Sequence, residues 1–383
     1  MKTKILIDCI FFQHANSGIA RVWNEIIKRL SRSNKVSIFI LERGGSPFYE
    51  NITYIPFPSY NFSNCPADSY LIEEICKLYE IDVFSSTYNT TPIETPIVLI
   101  IHDMIPELMS FNLNEIGWLE KEISINIANQ IICVSENTKN DLIRFYPYVD
   151  KDRICVAHLG CDKNIVKSNN STNNIFRKKY GINKKYFIIV GDRYQHNGYK
   201  NVELFFKCLN RLNNLDFSIV CVGGKSDLED SLRCHVPDGI SVYNIRLTDV
   251  ELVAAYQGAI ALIYPSLYEG FGLPVIEAMS CGCPVITTHN GSLREVASDA
   301  ALIISGLSED ELIDAVKSVF DPNISNNLKK KGYQQSERFS WDTIYDMFLA
   351  CCVRACNDSN INLKIIRENY KKYRQIQYSV NIN

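Results

Sequence analysis

The chain has almost no excess of charge of either sign: 40 Lys and Arg stand against 43 Asp and Glu, a formal net charge of −3. Nucleic-acid binders usually carry a strong basic excess, so nothing here points to that class. Long hydrophobic runs are also missing, and no window approaches the roughly 20 apolar residues that span a bilayer. The start, MKTKILIDCIFF, has a basic tip and apolar residues. It fails as a signal peptide, because Asp8 interrupts the run and Gln13 and His14 stand where a small-residue cleavage site would be. The expected location is therefore the cytoplasm. The first strand-to-helix turn lacks Gly-X-Gly-X-X-Gly, which disfavours a dinucleotide dehydrogenase. Cysteine is plentiful, 14 in all, but its spacing is not that of a zinc knuckle: Cys281 and Cys283 are one residue apart, and Cys351 and Cys352 are adjacent. Cys9, Cys133, Cys155 and Cys221 lie in or beside apolar runs, where a free thiol behaves as a small hydrophobe. No structural metal is expected.

At 383 residues and 43.8 kDa the chain is long enough for two ordinary domains. Its hydrophobic share of 46% and charged share of 22% are those of a globular protein. Strand and helix signals alternate twice. The first cycle reads strands at KILIDCIFF, VSIFIL, DVFSS, PIVLIIH and QIICVS, with a helix over Gly18 to Leu30. After the asparagine-rich stretch Lys167 to Asn174 come YFIIVG, FSIVCVGG, ISVYNI, AIALIYP and PVITT. Alternation of this kind predicts an α/β protein with parallel sheets in two domains, 1–165 and 166–345, followed by a helical segment over 346–383. In that segment Leu363 to Ile376 carries Lys364, Arg367, Lys371, Lys372 and Arg374 against Glu368, so 5 − 1 gives +4. Leu363, Ile366, Tyr370 and Tyr373 are assigned to one face. Two readings stay open: docking on an anionic membrane surface, and packing on the protein with a solvated basic edge.

The most informative stretch is Tyr264 to Pro284, YPSLYEGFGLPVIEAMSCGCP. Glu269 and Glu277 bracket a glycine-rich turn that runs into a helix. Gly270 and Gly272 let the backbone approach a ligand, and Pro274 suits the first helical turn, where its missing N–H costs nothing. A helix start offers free N–H groups and partial positive charge, a cradle for phosphate. One carboxylate before that cradle and another about two turns on suit a polyhydroxylated anion such as a nucleotide sugar. The strand before it and CPVITT after it put the motif at a strand's carboxyl edge in a βαβ unit, where open α/β sheets bind ligands.

This stretch resembles the signature of the retaining GT-B glycosyltransferases of family 4: two glutamates separated by seven residues, with Gly-Phe-Gly-Leu-Pro between them. The resemblance implies two Rossmann-like doubly wound domains facing across a cleft, an acceptor side in the first and donor binding in the second, with the segment from Trp341 to Cys356 crossing back onto the first domain. It implies hexose transfer, of mannose or glucose type, from a nucleotide diphosphate sugar to a glycan or lipid-linked acceptor in cell-surface polysaccharide synthesis, with no cofactor beyond the donor. By the same resemblance His102, Arg193, Lys200 and Glu269 are the catalytic residues. Arg193 and Lys200 would neutralise the leaving diphosphate, although the insertion YQHNGY widens their spacing. Gly18, Asp103, Gly270, Phe271, Gly272, Leu273, Glu277, Leu247 and Thr248 would bind substrate, Glu277 on the ribose and Glu269 on the transferred sugar. Asp150-Lys151-Asp152, the single Asp-X-Asp, lies in a polar turn rather than at a strand's carboxyl edge, so metal independence is expected. The alternatives are a GT-B-like nucleotide-sugar epimerase and a catalytically silent nucleotide-sugar-binding scaffold.

Overall fold

The computed structural model of the chain describes residues 2–13, 17–161, 170–193, 198–212 and 214–381. They form two compact units, 1–158 together with 341–383, and 159–340. The changeovers fall at 158/159 and 340/341, not at the expected 165/166 and 345/346. The reasons are local. The last strand of the first sheet ends at Val156, and Trp341 already opens a helix that packs on that sheet. Of the asparagine-rich stretch expected to link the domains, residues 167–169 lie outside the described residues, and Asn170 onward is helical.

The first unit runs β1 (Thr3–Asp8), α1 (Gly18–Leu30), β2 (Val36–Glu42), β3 (Ile52–Pro56), α2 (Cys65–Tyr79), β4 (Val83–Ser86), β5 (Val98–Ile101), α3 (Ile105–Leu108), α4 (Ile116–Ile127), β6 (Gln130–Cys133), α5 (Glu136–Phe145) and β7 (Ile154–Val156). Strands β3-β2-β1-β4 form one parallel ladder and β5-β6-β7 another, joined by a parallel bridge between Phe84 and Ile97. Such strands are covered on both faces, which is why they read as unbroken apolar runs: Ile5, Leu6 and Ile7 are all fully buried. The strand expected over KILIDCIFF stops at Asp8, and Ile10–Gln13 is a 3-10 turn. Asp8 ends the strand because its carboxylate is bound by the Arg43 guanidinium and by the Thr90 hydroxyl, at 2.7 Å and 2.6 Å. Helix α1 starts where Ser17 accepts from the Ala20 N–H at 3.0 Å, and it buries Val22, Trp23, Ile26, Ile27 and Leu30.

The second unit runs α6 (Asn170–Tyr180), β8 (Tyr186–Val190), α7 (Val202–Cys208), β9 (Ser218–Val222), α8 (Asp230–Arg233), β10 (Val242–Ile245), α9 (Asp249–Gly258), β11 (Ala259–Tyr264), α10 (Leu273–Ser280), β12 (Val285–Thr288), α11 (Leu293–Ala297), β13 (Leu302–Ile304), α12 (Glu309–Ser318) and α13 (Pro322–Ser336). Its sheet order is β10-β9-β8-β11-β12-β13, all parallel. This is the doubly wound 3-2-1-4-5-6 arrangement, with the chain reversing direction between β8 and β11.

Helices α14 (Trp341–Cys356) and α15 (Ile361–Asn381) belong to the first unit. Helix α14 packs on α1, β4, β5 and β6, and Phe348 meets Trp23 edge-on at 5.7 Å. Helix α15 packs on α2 and α4 through a different stripe from the one expected. Leu363 and Tyr370 are buried, whereas Ile366 and Tyr373 are exposed. The surface it meets is polar, so arginines complete the stripe at i+4 and i+11. Arg367 donates to the carbonyls of Glu94 and Thr95, at 2.8 Å and 2.7 Å. Arg374 is wholly buried, paired with Glu120 and bonded to the Tyr370 hydroxyl at 2.9 Å. Among the described residues no helix is long and apolar enough to cross a membrane.

Candidate functional site

The reversal between β8 and β11 leaves a crevice at their carboxyl ends. A small pocket opens there, lined by Ile189, Val190, Gly191, Asp192, Lys200, Val202, Ile263, Tyr264, Pro265 and Ser266. Lys200 reaches it from the turn before α7. That turn is stitched to the loops after β11 and β13: Leu267 N–H donates to the Tyr199 carbonyl at 2.7 Å, and the Asn201 amide donates to the carbonyls of Pro265 and Gly306 at 3.1 Å and 2.7 Å. Loops so joined hold the Lys200 ammonium 2.6 Å from Glu269 Oε1 and 2.9 Å from the Tyr264 hydroxyl. The lysine also lies over the Tyr199 and Tyr264 rings, 5.3 Å and 5.1 Å from their centroids. Burial, and then the Glu269 charge, push the Tyr264 hydroxyl far above its ordinary pKa, so it stays a neutral donor.

The Gly-Phe-Gly turn is pinned from below. Glu269 gives its carbonyl to the Ser292 N–H and hydroxyl, at 3.1 Å and 2.9 Å. Gly272 caps α10 with φ +96, and a Cβ there would lie 2.8 Å from Leu293 Cδ2. Only glycine fits on both counts. The start of α10 carries no side-chain cap and has Pro274 in its first turn, and a helix start of this kind can receive an anion. Gly270 is buried and Leu273 half-buried. Glu277, nearly buried, accepts from the Tyr256 hydroxyl of α9 at 3.3 Å.

Lys200, Glu269, Gly270, Gly272, Leu273 and Glu277 therefore share one end of the second unit's sheet. Four expected residues of this unit are placed otherwise. Arg193 is turned away: its Nε pairs with Glu229 at 3.0 Å, and its Nη atoms donate to the carbonyls of Gly223, Lys225 and Asp227 at 2.7, 2.8 and 3.3 Å. Most of the insertion expected between the two cations, residues 194–197, lies outside the described residues; Arg193 itself orders the loop after β9. The Phe271 ring packs edge-on against Phe339 at 5.7 Å and belongs to the core. Thr248 forms a capping box with Glu251 at the start of α9, beside half-buried Leu247, so its hydroxyl is used by the backbone.

In the first unit, Gly18 is exposed at the first turn of α1, and Arg21 lies in the same helix. His102 follows β5, with Nε2 buried and without a hydrogen-bond partner. Burial, aided by the Lys121 charge, lowers its pKa to about 4, so the imidazole is neutral near pH 7. Asp103 accepts from the Ile105 N–H at 3.0 Å and so opens α3; its carbonyl takes a bond from Lys121, which pairs with Glu107 at 2.9 Å. Asp150 caps a 3-10 turn by accepting from the Asp152 N–H at 3.0 Å. Sequence reasoning missed Tyr256 and Tyr264. Tyr264 had a visible signal, a hydroxyl ending the apolar run AIALI at the ligand edge. Tyr256 had none, since its contact with Glu277 depends on how α9 packs.

Two doubly wound units, with this constellation at the switch point of the second, define a protein of the GT-B fold class. A solved structure of Anabaena Alr3699/HepE in complex with UDP-glucose shares that fold, with a TM-score of 0.70, 16% identity and coverage of 91% of this chain and 98% of that one. A model of the family described as glycosyl transferases group 1 matches residues 172–335, and one described as glycosyltransferase family 4 matches residues 16–164. The chain belongs to this family of GT-B glycosyltransferases. It is 27% identical over 237 residues to the O-antigen chain mannosyltransferase B of Escherichia coli, covering 60% of this chain and 62% of that protein. It is 28% identical over 240 residues to the O-antigen chain mannosyltransferase RfbU of Salmonella typhimurium, covering 61% and 64%. The match thus spans under two thirds of either relative.

Proposed function

We propose that the protein is a retaining, metal-independent hexosyltransferase, moving a mannose-type sugar from a nucleotide diphosphate donor to a glycan or lipid-linked acceptor in cell-surface polysaccharide synthesis. The observation that carries this reading is the buried Lys200–Glu269 pair beside the uncapped start of α10, at the switch point of a doubly wound sheet. As the anomeric bond breaks, charge grows on the leaving phosphate; Lys200 and the first-turn amides are fixed positive groups that stabilise it, the task a metal ion performs elsewhere. Glu269 binds the hydroxyls of the transferred sugar, and Glu277, held by Tyr256, binds the ribose. The acceptor hydroxyl attacks on the face from which the diphosphate departs, and a phosphate oxygen takes its proton. We assign Gly18, His102 and Asp103 to the acceptor and transferred sugar, with His102 acting as a neutral imidazole. Arg193 serves the loop after β9, leaving Lys200 as the cation for the diphosphate. The mannose assignment rests on the two O-antigen mannosyltransferases.

A peripheral contact with an anionic membrane accompanies this role. Ile361, Ile365, Ile376 and Val380 are exposed on the outer face of α15 beside exposed Lys364 and Lys372.

Thermal-shift titration with GDP-mannose, UDP-glucose and UDP-GlcNAc tests the donor, and the anomeric configuration of the product, read by NMR, tests retention. One donor should raise the melting point of the wild type and leave Lys200→Ala and Glu277→Ala unchanged. Product of inverted configuration, or activity abolished by a chelator and restored by a divalent ion, would overturn the corresponding part.

A further inference from the structure

All 14 cysteines are free thiols, and two of them meet in the first unit. Cys155 is on the edge strand β7, and Cys351 is on α14, 196 positions later. Their Sγ atoms are 3.4 Å apart. The Arg354 guanidinium, from the next turn of α14, places Nη2 3.0 Å from Cys351 Sγ and 3.8 Å from Cys155 Sγ, while its Nε is anchored on Gln130 Oε1 at 2.8 Å. Cys351 is fully buried, whereas Cys155 is half-buried and Arg354 exposed, so solvent reaches the pair from the β7 side.

The geometry points to an oxidation site: Cys155 and Cys351 form a reversible disulfide when a small hydroperoxide reaches Cys155. The remaining closure is small, about 1.4 Å from contact to a bonded S–S distance. Environment selects this pair. Burial pushes the thiols of Cys133, Cys221 and Cys283 up and makes them inert. Cys155 is instead held below the usual thiol value, first by the hydrogen bond from Cys351 and further by the Arg354 charge. The Cys155 thiolate attacks one peroxide oxygen; the O–O bond breaks, leaving a sulfenic acid and hydroxide. The Cys351 sulfur then attacks the sulfenic sulfur, the S–S bond forms and water leaves. The hydroxide takes the proton that Cys155 gave up on ionising. Two thiols lose two electrons to one hydrogen peroxide, which becomes two waters. The product ties the returning helix α14 to β7, so that the segments 1–158 and 341–383 of one unit become covalently joined.

The test uses the full chain, treated with hydrogen peroxide, quenched with N-ethylmaleimide and mapped as non-reduced peptides. The expected result is a Cys155–Cys351 cross-link as the first oxidation product, reversed by dithiothreitol, with a melting point raised by roughly 5–10 °C over the reduced protein. Cys351→Ser should stop at Cys155 and give a dimedone adduct there, and Arg354→Gln should slow cross-linking several-fold. Oxidation of other cysteines before this pair, or Cys155 running to sulfinic acid in the wild type without a cross-link, would overturn the proposal. Cys155→Ser and Cys351→Ser proteins whose reduced melting points match the wild type show that the loss of cross-linking is chemical rather than a folding defect; mismatched ones hand the decision to the wild-type peptide map.

Discussion

Lys200 and Glu269 form a 2.6 Å ion pair with only 15% and 9% of their side chains exposed, and the Tyr264 hydroxyl is bonded to the same ammonium. A buried pair is costly to break from one side, because the survivor keeps an unpaired charge. A diphosphate entering the pocket offers Lys200 a second anion, so the pair is pre-positioned rather than spent. Lys200→Ala should lower kcat by about 10²–10³, the range seen when a fixed charge-stabilising donor is removed. Initial rates with a saturating donor check this, and a variant within threefold of wild type would exclude Lys200 from the chemical step.

Tyr256 donates to Glu277 at 3.3 Å and touches no proposed reacting atom. Tyr256→Phe should raise the donor KM roughly 3–10-fold with kcat little changed, since a hydrogen bond as long as 3.3 Å contributes about 1 kcal/mol. An equal fall in kcat and kcat/KM would instead place Glu277 in the transition state.

Gly272→Ala combines a φ of +96 with a Cβ 2.8 Å from Leu293 Cδ2. Urea unfolding should show a loss of about 1–3 kcal/mol. Adding Leu293→Ala should relieve the contact but not the backbone strain, so the double variant should be more stable than the sum of the two single effects. Simple additivity would show that Leu293 moves aside freely.

His102 has a native pKa of about 4 against 6.5 for the free group. Between these values the unfolded state binds the proton and the native state does not, so stability falls as pH drops from 6.5 towards 4 and is unaffected above. The expected slope approaches about 1.4 kcal/mol per pH unit in that window. Urea unfolding at pH 7.5, 5.5 and 4.5 should show it in the wild type and lose it in His102→Gln; equal slopes in both proteins would place the titration elsewhere.

Sedimentation with phosphatidylglycerol vesicles should capture the protein at low salt and release it in Ile365→Glu/Ile376→Glu. Capture unchanged by that double substitution would clear α15 of any membrane role.

What was legible in the sequence was what depends on neighbours along the chain. EGFGLPVIE read correctly as a turn into a helix at a strand edge because glycine, proline and apolar spacing act within a few residues. The missed strands β3, β7 and β13 all lie at sheet edges, and two of them have three residues, too few to show a period. Arg193 misled for a different reason. Its position in the chain matched a phosphate ligand, but its direction was decided by Glu229 and three carbonyls contributed by a loop some 30 residues away. The stripe on α15 was misassigned because its partners, Glu120 and the carbonyls of Glu94 and Thr95, are long-range.

The return of α14 and α15 to the first unit has a consequence for the order of events at the ribosome. Residues 1–158 emerge before the second unit, yet Trp23 lacks Phe348, and Glu120 lacks Arg374, until the segment 341–383 is made. At synthesis rates of about 5–20 residues per second, the 340 − 158 = 182 residues between the segments impose a wait of roughly 10–40 s. The second unit, continuous in the chain, can close during that wait. Of the two units, the one begun earlier is thus the one completed later.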